Sequence, residues 1–201
     1  DPRIGATLSS HEVAQGYREV DDPSITIRFP VIDEDKTYFL VWTTTPWTLP
    51  ANLALAVGAS IDYAFVEHGG ETLILATQLV DKVLGEGPHT IVRRVKGEDL
   101  MGLRYQRLFD ELPAEGDICR VLTADFVSTD DGTGIVHTAP AYGVDDLALG
   151  QAHGLPVVHG IGLDGCFKDE VTPVQGQFFK DADPTIIEIL RERGLLFRSE
   201  T

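Results

Sequence analysis

The residues 42–50, WTTTPWTLP, place Thr43, Thr44, Thr45 and Thr48 within one short segment, with Trp47 among them. Each hydroxyl gives one hydrogen bond and accepts others, so a cluster can hold a carbonyl and a water in fixed relation. Threonine is a poor nucleophile without an adjacent base. Such a cluster therefore suits positioning rather than covalent attack. A second stretch, residues 132–146, GTGIVHTAPAYGVDD, ends an apolar run at His137 and reaches Asp145 and Asp146. A carboxylate facing a pocket there would hold a cation such as an ammonium group. A third stretch, residues 159–167, HGIGLDGCF, carries Asp164 in a loop.

Each feature also has a plainer reading. Threonines suit a pleated strand without any function. His137 serves either as a satisfied wall histidine or as a proton shuttle. Asp145 or Asp146 in a first helical turn is a good cap. Asp164-Gly165 is most simply a turn.

Other chemistries lack their signatures. There is no GxSxG elbow for a serine hydrolase, and no HExxH or Cys/His cluster for a metal. No P-loop occurs. No cofactor and no metal is expected.

These residues need elements to carry them. Residues 24–32 alternate apolar and polar as in a strand, and residues 37–45 form a second, more buried strand that delivers the threonines. If that strand stays regular, neighbouring side chains face opposite ways, so at least one threonine is structural or acts through its backbone. Residues 51–57, ANLALAV, fit a strand or a helical turn equally. Runs on either side of Gly69-Gly70 predict a hairpin. A short helix is expected from Gln78 to Leu84, then a strand at HTIVRRV. ICRVLTADFV and GTGIVHTA predict two more strands. Helices are expected at Asp145–His153, stopped by Gly154, and at Pro184–Arg193, stopped by Gly194. LPVVHGIG and GQFF flank the loop around Asp164. Many short strands and few helices predict an α+β fold, a compact β-barrel-like domain with a few short peripheral helices.

The chain has 201 residues, 43% hydrophobic and 24% charged, as for one globular domain. Its net charge of −16 disfavours a broad phosphate-binding surface but permits gripping one nucleic-acid end. Cys119 and Cys166 are far apart, which fits a reducing compartment. No apolar stretch is long enough for a bilayer. The start, Asp1-Pro2-Arg3, has no signal-peptide pattern and reads as a cut within a longer chain.

WTTTPWTLPANLALAV together with GTGIVHTAPAYGVDD closely resembles the editing domain of isoleucyl-tRNA synthetases, an insertion in a class I catalytic domain. DPSITIRF, KGEDLMGLRYQRLF and FFKDADPTIIEILRERGLLF extend the resemblance over nearly the whole chain. Valyl and leucyl editing domains typically carry Arg-Pro after the first threonines, whereas Thr45-Pro46-Trp47 stands here. The ATP-binding signatures HIGH and KMSKS are missing, so the fragment is not expected to activate isoleucine.

The resemblance implies a single editing domain over 1–201, with 1–23 and 195–201 near the connections to a parent catalytic domain. It implies cytoplasmic hydrolysis of valine wrongly attached to the 3′ end of the isoleucine tRNA, with valyl-adenylate as a further candidate substrate. A non-catalytic module binding valine or the tRNA end, or a valyl- or leucyl-type editor, are the competing readings. By the same resemblance Thr43, Thr44 and Thr45 line the pocket, and Trp47 and Thr48 continue its wall. His137 bounds the valine side chain and Asp146 holds the α-ammonium, with Asp145 as a lesser candidate. The 160–167 loop departs from the family's Pro-Val-Asp pattern, which leaves Asp164 as the weakest candidate, for contact with the terminal adenosine.

Overall fold

The computed structural model describes residues 22–200. Among these residues nine strands form two mixed sheets. The larger sheet contains β1 (Ser24–Pro30), β2 (Thr37–Thr43), β4 (Asp62–His68), β5 (Glu71–Ala76), β6 (Thr90–Lys96) and β9 (Leu196–Glu200), in the order β6-β4-β5-β2-β1-β9. The smaller contains β3 (Ala54–Val57), β7 (Arg120–Thr123) and β8 (Ile135–Thr138), in the order β7-β3-β8. Four α-helices accompany them among the described residues: α1 (Val80–Leu84), α2 (Gly97–Leu100), α3 (Val144–His153) and α4 (Asp183–Glu192). The α+β class and the few short helices are as expected. The barrel is not: the strands form two separate open sheets rather than one closed wall.

The strand β3 shows why ANLALAV resisted assignment. Every residue from Leu53 to Val57 is fully buried. Leu55 and Val57 enter the main core, while Leu53, Ala54 and Ala56 pack with Leu122, Leu149 and Leu155 in a smaller one. A strand buried on both faces loses its alternation. Burying one leucine contributes roughly 1.5–3 kcal/mol, so this strand is a principal anchor of both cores.

The hairpin at Gly69-Gly70 forms as predicted, with both glycines at positive φ, 58° and 84°. The α3 and α4 helices lie within a residue of expectation, and Gly154 and Gly194 follow at φ 73° and 72°. The run ICRVLTADFV supplies only Arg120–Thr123 as strand, and the segments flanking the Asp164 loop make isolated bridges. The β9 strand was not anticipated; it pairs antiparallel with β1 and sets Ser24 opposite Glu200. The expected cut at Asp1-Pro2-Arg3 and most of the 1–23 connection lie outside the described residues.

For the site, the decisive feature is where β2 stops. It ends at Thr43, and a short 3-10 helix, Pro46–Ala51, begins two residues after Thr44, with Thr45 at its N-cap. The predicted strand over 37–45 is thus shorter, because Pro46 favours a first helical turn and cannot extend a ladder.

Candidate active site

Because the backbone turns after Thr43, strand alternation no longer separates the threonines. Thr43, Thr44, Thr45 and Thr48 all line one cavity of about 300 Å³. His137 and Val136 from β8, Ala139, Tyr142, Asp146 and Trp42 complete it. The pairing of β3 with β8 sets His137 opposite Leu55, directly behind the threonine segment.

The threonines divide their labour. Thr43 Oγ1 accepts the Thr45 backbone N–H at 3.1 Å, so this hydroxyl stabilises the turn. This threonine is structural and also faces the cavity, because the strand ends here and not through the alternation expected of a regular strand. Thr48 Oγ1 donates to the Thr45 carbonyl at 2.8 Å. Thr45 Oγ1 lies 3.3 Å from both Thr43 Oγ1 and Thr48 Oγ1. These separations are long for O–H···O bonds, which centre on about 2.7–2.8 Å. Weak contacts of this kind exchange readily for a ligand oxygen. Thr44 is the exposed member of the run.

His137 is buried and committed on both nitrogens. Asn52 Nδ2 donates to its Nδ1 at 2.7 Å, and its Nε2 lies 2.8 Å from Thr48 Oγ1. Nδ1 therefore accepts and Nε2 carries the proton. Burial pushes its pKa down to about 4. A neutral histidine with both nitrogens spent inside the protein is a rigid wall. In this arrangement it has no free lone pair for a water.

Asp146 sits in the first turn of α3. Its Oδ2 accepts the Ala139 N–H at 3.0 Å, which fastens the helix start to the end of β8. Burial raises its pKa, the Ala139 bond lowers it, and nearby Asp145 raises it. A partly desolvated carboxylate on a cavity wall gains most from a cationic ligand group. The expected cap is absent: the N-cap is Gly143, no side chain caps the helix, and Asp146 spends one oxygen on Ala139 N–H outside it.

Trp47, Asp145 and Asp164 fall outside this cavity's lining. Trp47 lies in an adjoining apolar groove of about 320 Å³ with Ile161, Leu163 and Phe179, reached past the shared Tyr142. Its indole meets Tyr142 and Phe179 edge-on, centroids 5.2 and 4.6 Å away. Asp145 is exposed on α3. Asp164 Oδ1 accepts the Cys166 N–H at 2.9 Å, which is the turn role. Among the described residues no group of three or more His, Cys, Asp or Glu could hold a metal ion, and no helix is long and apolar enough to cross a membrane.

Sequence reasoning missed three residues. Asn52 was in view within WTTTPWTLPAN but carried no role, and Tyr105 was only part of a matching motif. Asp183 holds the segment from outside through Trp47 N. The usable signal was an asparagine, Asn52, inside an otherwise apolar run, because a polar group so buried must be bonded.

Isoleucine–tRNA ligase of Clostridium kluyveri is 48% identical over 199 residues, 99% of this chain and 19% of that protein. The ligase of Thermobifida fusca is 44% identical over 200 residues, 98% of this chain and 19% of that protein. The chain is homologous to one segment of the isoleucine–tRNA ligases. It spans about a fifth of the length of these curated relatives. No family model matches. Among solved structures, GlLeuRS-CP1 superimposes with a TM-score of 0.69 at 16% identity, covering 89% of this chain and all but a hundredth of that one (99%). The Plasmodium falciparum cytosolic leucyl-tRNA synthetase editing domain gives 0.67 at 10% identity, over 88% and 99%. The chain therefore shares the fold of those editing domains.

Proposed function

We propose that this domain proofreads by hydrolysis, cleaving the ester between valine and the 3′-terminal ribose of the isoleucine tRNA. The observation that carries the reading is the convergence of Asp146 with the Thr43–Thr45 hydroxyls on one small cavity backed by a fixed His137. Ligase relatives and the editing-domain fold support it.

In this reading Asp146 pairs with the substrate's α-ammonium, a charge-assisted contact. Thr44 and Thr45 hold the ester carbonyl and a water. The water adds to the carbonyl carbon, the ester C–O bond breaks, and the ribose oxygen leaves as a hydroxyl with free valine as the other product. The neutral His137 forms the end wall. Since both its nitrogens are occupied, the proton from water passes to a group of the substrate or to bulk water. An apolar wall discriminates one methylene by roughly 1–3 kcal/mol, and isoleucine-versus-valine selection is the standard instance of that problem. A rigid wall, where extra volume costs about 1–3 kcal/mol, makes the larger side chain the rejected one.

The partners follow from this reading: the tRNA 3′ end, the valine moiety and a parent synthetase catalytic domain. The net charge of −16 disfavours a broad grip on tRNA phosphates and leaves room only for contact with its end.

The test is to mix the chain with isoleucine tRNA charged with valine, isoleucine, threonine or norvaline and follow amino-acid release. Release of valine ahead of the other three supports the assignment. Preference for threonine or norvaline makes it a valyl- or leucyl-type editor, and binding without turnover makes it a recognition module.

A further inference from the structure

KGEDLMGLRYQRLF matched the family without acquiring a role, yet it delivers Tyr105 to the rear of the site. Tyr105 is buried, with its ring edge-on to Phe29 at 5.3 Å. Its hydroxyl donates to Asn52 Oδ1 at 2.5 Å. Asn52 Nδ2 then donates to the Ala54 carbonyl at 3.0 Å and to His137 Nδ1 at 2.7 Å. His137 Nε2–H faces Thr48 Oγ1, and Thr48 Oγ1 donates to the Thr45 carbonyl. Apart from the Asn52 bond to Ala54, each donor in this line points toward the threonine segment.

We propose that Tyr105 is a positioning residue that sets the direction of this hydrogen-bond relay and thereby the tautomer of His137 and the orientation of the Thr48 hydroxyl. An asparagine amide can face either way, and only the groups around it decide which. Here two groups agree. The Ala54 carbonyl can only accept, so it calls for Nδ2. The Tyr105 phenol donates, so it calls for Oδ1. Burial holds the phenol's pKa well above its ordinary value, which keeps it a donor at every working pH. With Nδ2 turned toward His137, Nδ1 must be the bare nitrogen.

The backbone fixes Tyr105 in register. Tyr105 N donates to Cys119 O at 3.1 Å, and Cys119 N donates to Leu53 O at 2.7 Å. Cys119 thus bridges the tyrosine to the residue after Asn52. It does so at φ 59°, a left-handed conformation that a non-glycine residue adopts only when its surroundings require it. Replacing Tyr105 by phenylalanine keeps the ring and leaves Asn52 Oδ1 buried without its donor. The flipped amide, with Oδ1 accepting from a protonated His137 Nδ1, then competes with the native one.

The functional half of this inference rests on the proofreading reading; the tautomer half does not. The experiment is ¹⁵N NMR of imidazole-labelled chain, with His137 assigned by its absence in His137→Gln. Wild type should show a bare Nδ1 and a protonated Nε2. In Tyr105→Phe the two nitrogens should move toward each other as tautomers mix. Valyl-ester kcat should fall by roughly fivefold or more, with KM within about twofold, as expected when positioning rather than binding is lost. Asn52→Asp is the second variant: a carboxylate cannot donate to Nδ1, so the NMR signature should invert to Nδ1–H even if Tyr105→Phe folds poorly. An unchanged single tautomer in Tyr105→Phe, or no inversion in Asn52→Asp, overturns the relay. Mixed tautomers with unaltered hydrolysis overturn the positioning role. If wild-type chain hydrolyses no ester, the proofreading reading fails, and the NMR result still decides the relay.

Discussion

Asp183 Oδ1 accepts the backbone N–H of Trp47 at 2.9 Å, tying the first residue of α4 to the 3-10 helix 136 positions earlier. That N–H lies in a first helical turn, where no intrahelical acceptor exists. The cap comes from a distant helix, so the threonine segment is held by tertiary structure and not by its own sequence. Holding it has a cost. Asp183 is buried, and its pKa rises to about 6, chiefly from desolvation, with the Trp47 bond lowering it, Asp22 raising it and Lys180 lowering it.

The sign of that shift yields the first prediction. An aspartate whose folded pKa exceeds its unfolded value of about 3.8 destabilises the ionised fold. The penalty is fully present above pH 6 and disappears as pH falls from 6 toward 4. His137 runs the other way: its folded pKa of about 4 lies below the ordinary 6.5, so its stability contribution is complete above pH 6.5 and is lost as pH falls toward 4. Each amounts to about 2–3 kcal/mol, and in wild type they largely offset. Asp183→Asn keeps an acceptor for Trp47 and removes the charge. It should be more stable at pH 7.5 by about 1–3 kcal/mol, and it should lose stability between pH 6.5 and 4 more steeply than wild type. Urea unfolding across that range checks both. A destabilised variant at pH 7.5 would mean that the carboxylate is compensated by partners other than Trp47.

What was legible in the sequence follows a physical division. The hairpin and the two longer helices announced themselves through local signals: paired glycines, Pro184, Gly154 and Gly194. The threonine cluster, His137 and Asp146 were readable because polar groups at the ends of apolar runs are conspicuous. Asn52, Tyr105 and Asp183 were not, because each acts through a bond to a residue 53 to 136 positions away. The two open sheets were missed for a related reason. Strand count is local information, but which strands share a sheet depends on the crossover that pairs β2 with β5 and β3 with β7 in parallel.

For Asp146, the isosteric Asp146→Asn separates charge from the bond to Ala139 N–H. The amide oxygen still accepts from Ala139 N–H, so the fold should hold within about 0.5 kcal/mol. Loss of a charge-assisted contact, about 1.5–3 kcal/mol, should slow valyl-ester hydrolysis by roughly 10–150-fold. An N-acetylated valyl ester should be a poor substrate for wild type and variant alike. Wild-type turnover by Asp146→Asn would remove the ammonium role.

His137→Ala should open the cavity's end wall. Isoleucyl ester becomes a substrate, and the preference for valine over isoleucine should drop by roughly 10–100-fold, the worth of one methylene. The same change strands Asn52 Nδ2 and removes the proton given to Thr48, so stability should fall by about 1–3 kcal/mol. Paired deacylation assays and urea curves read the two effects separately. Continued protection of the isoleucyl ester at full stability would exclude His137 as the gate.

Asp164 gives the sharpest contrast between sequence position and structural place. It stands in the loop beside the apolar groove of Trp47, Tyr142 and Phe179, yet Leu163 and Gly165 line that groove while Asp164 does not. Its carboxylate is spent on Cys166 N–H, closing the turn that also brings Gly165 N to Gly162 O at 3.0 Å. An Asx turn on the surface contributes about 0.5–1.5 kcal/mol when its bond is lost. Asp164→Ala should therefore cost about that much in stability and leave hydrolysis of a small valyl ester unchanged. Phe179→Ala, which empties one wall of the groove, should raise KM for the valyl-tRNA while sparing a valyl ester that lacks the nucleoside. If Asp164→Ala slows both substrates equally, the loop reaches the chemistry, and the aspartate belongs with the threonines after all.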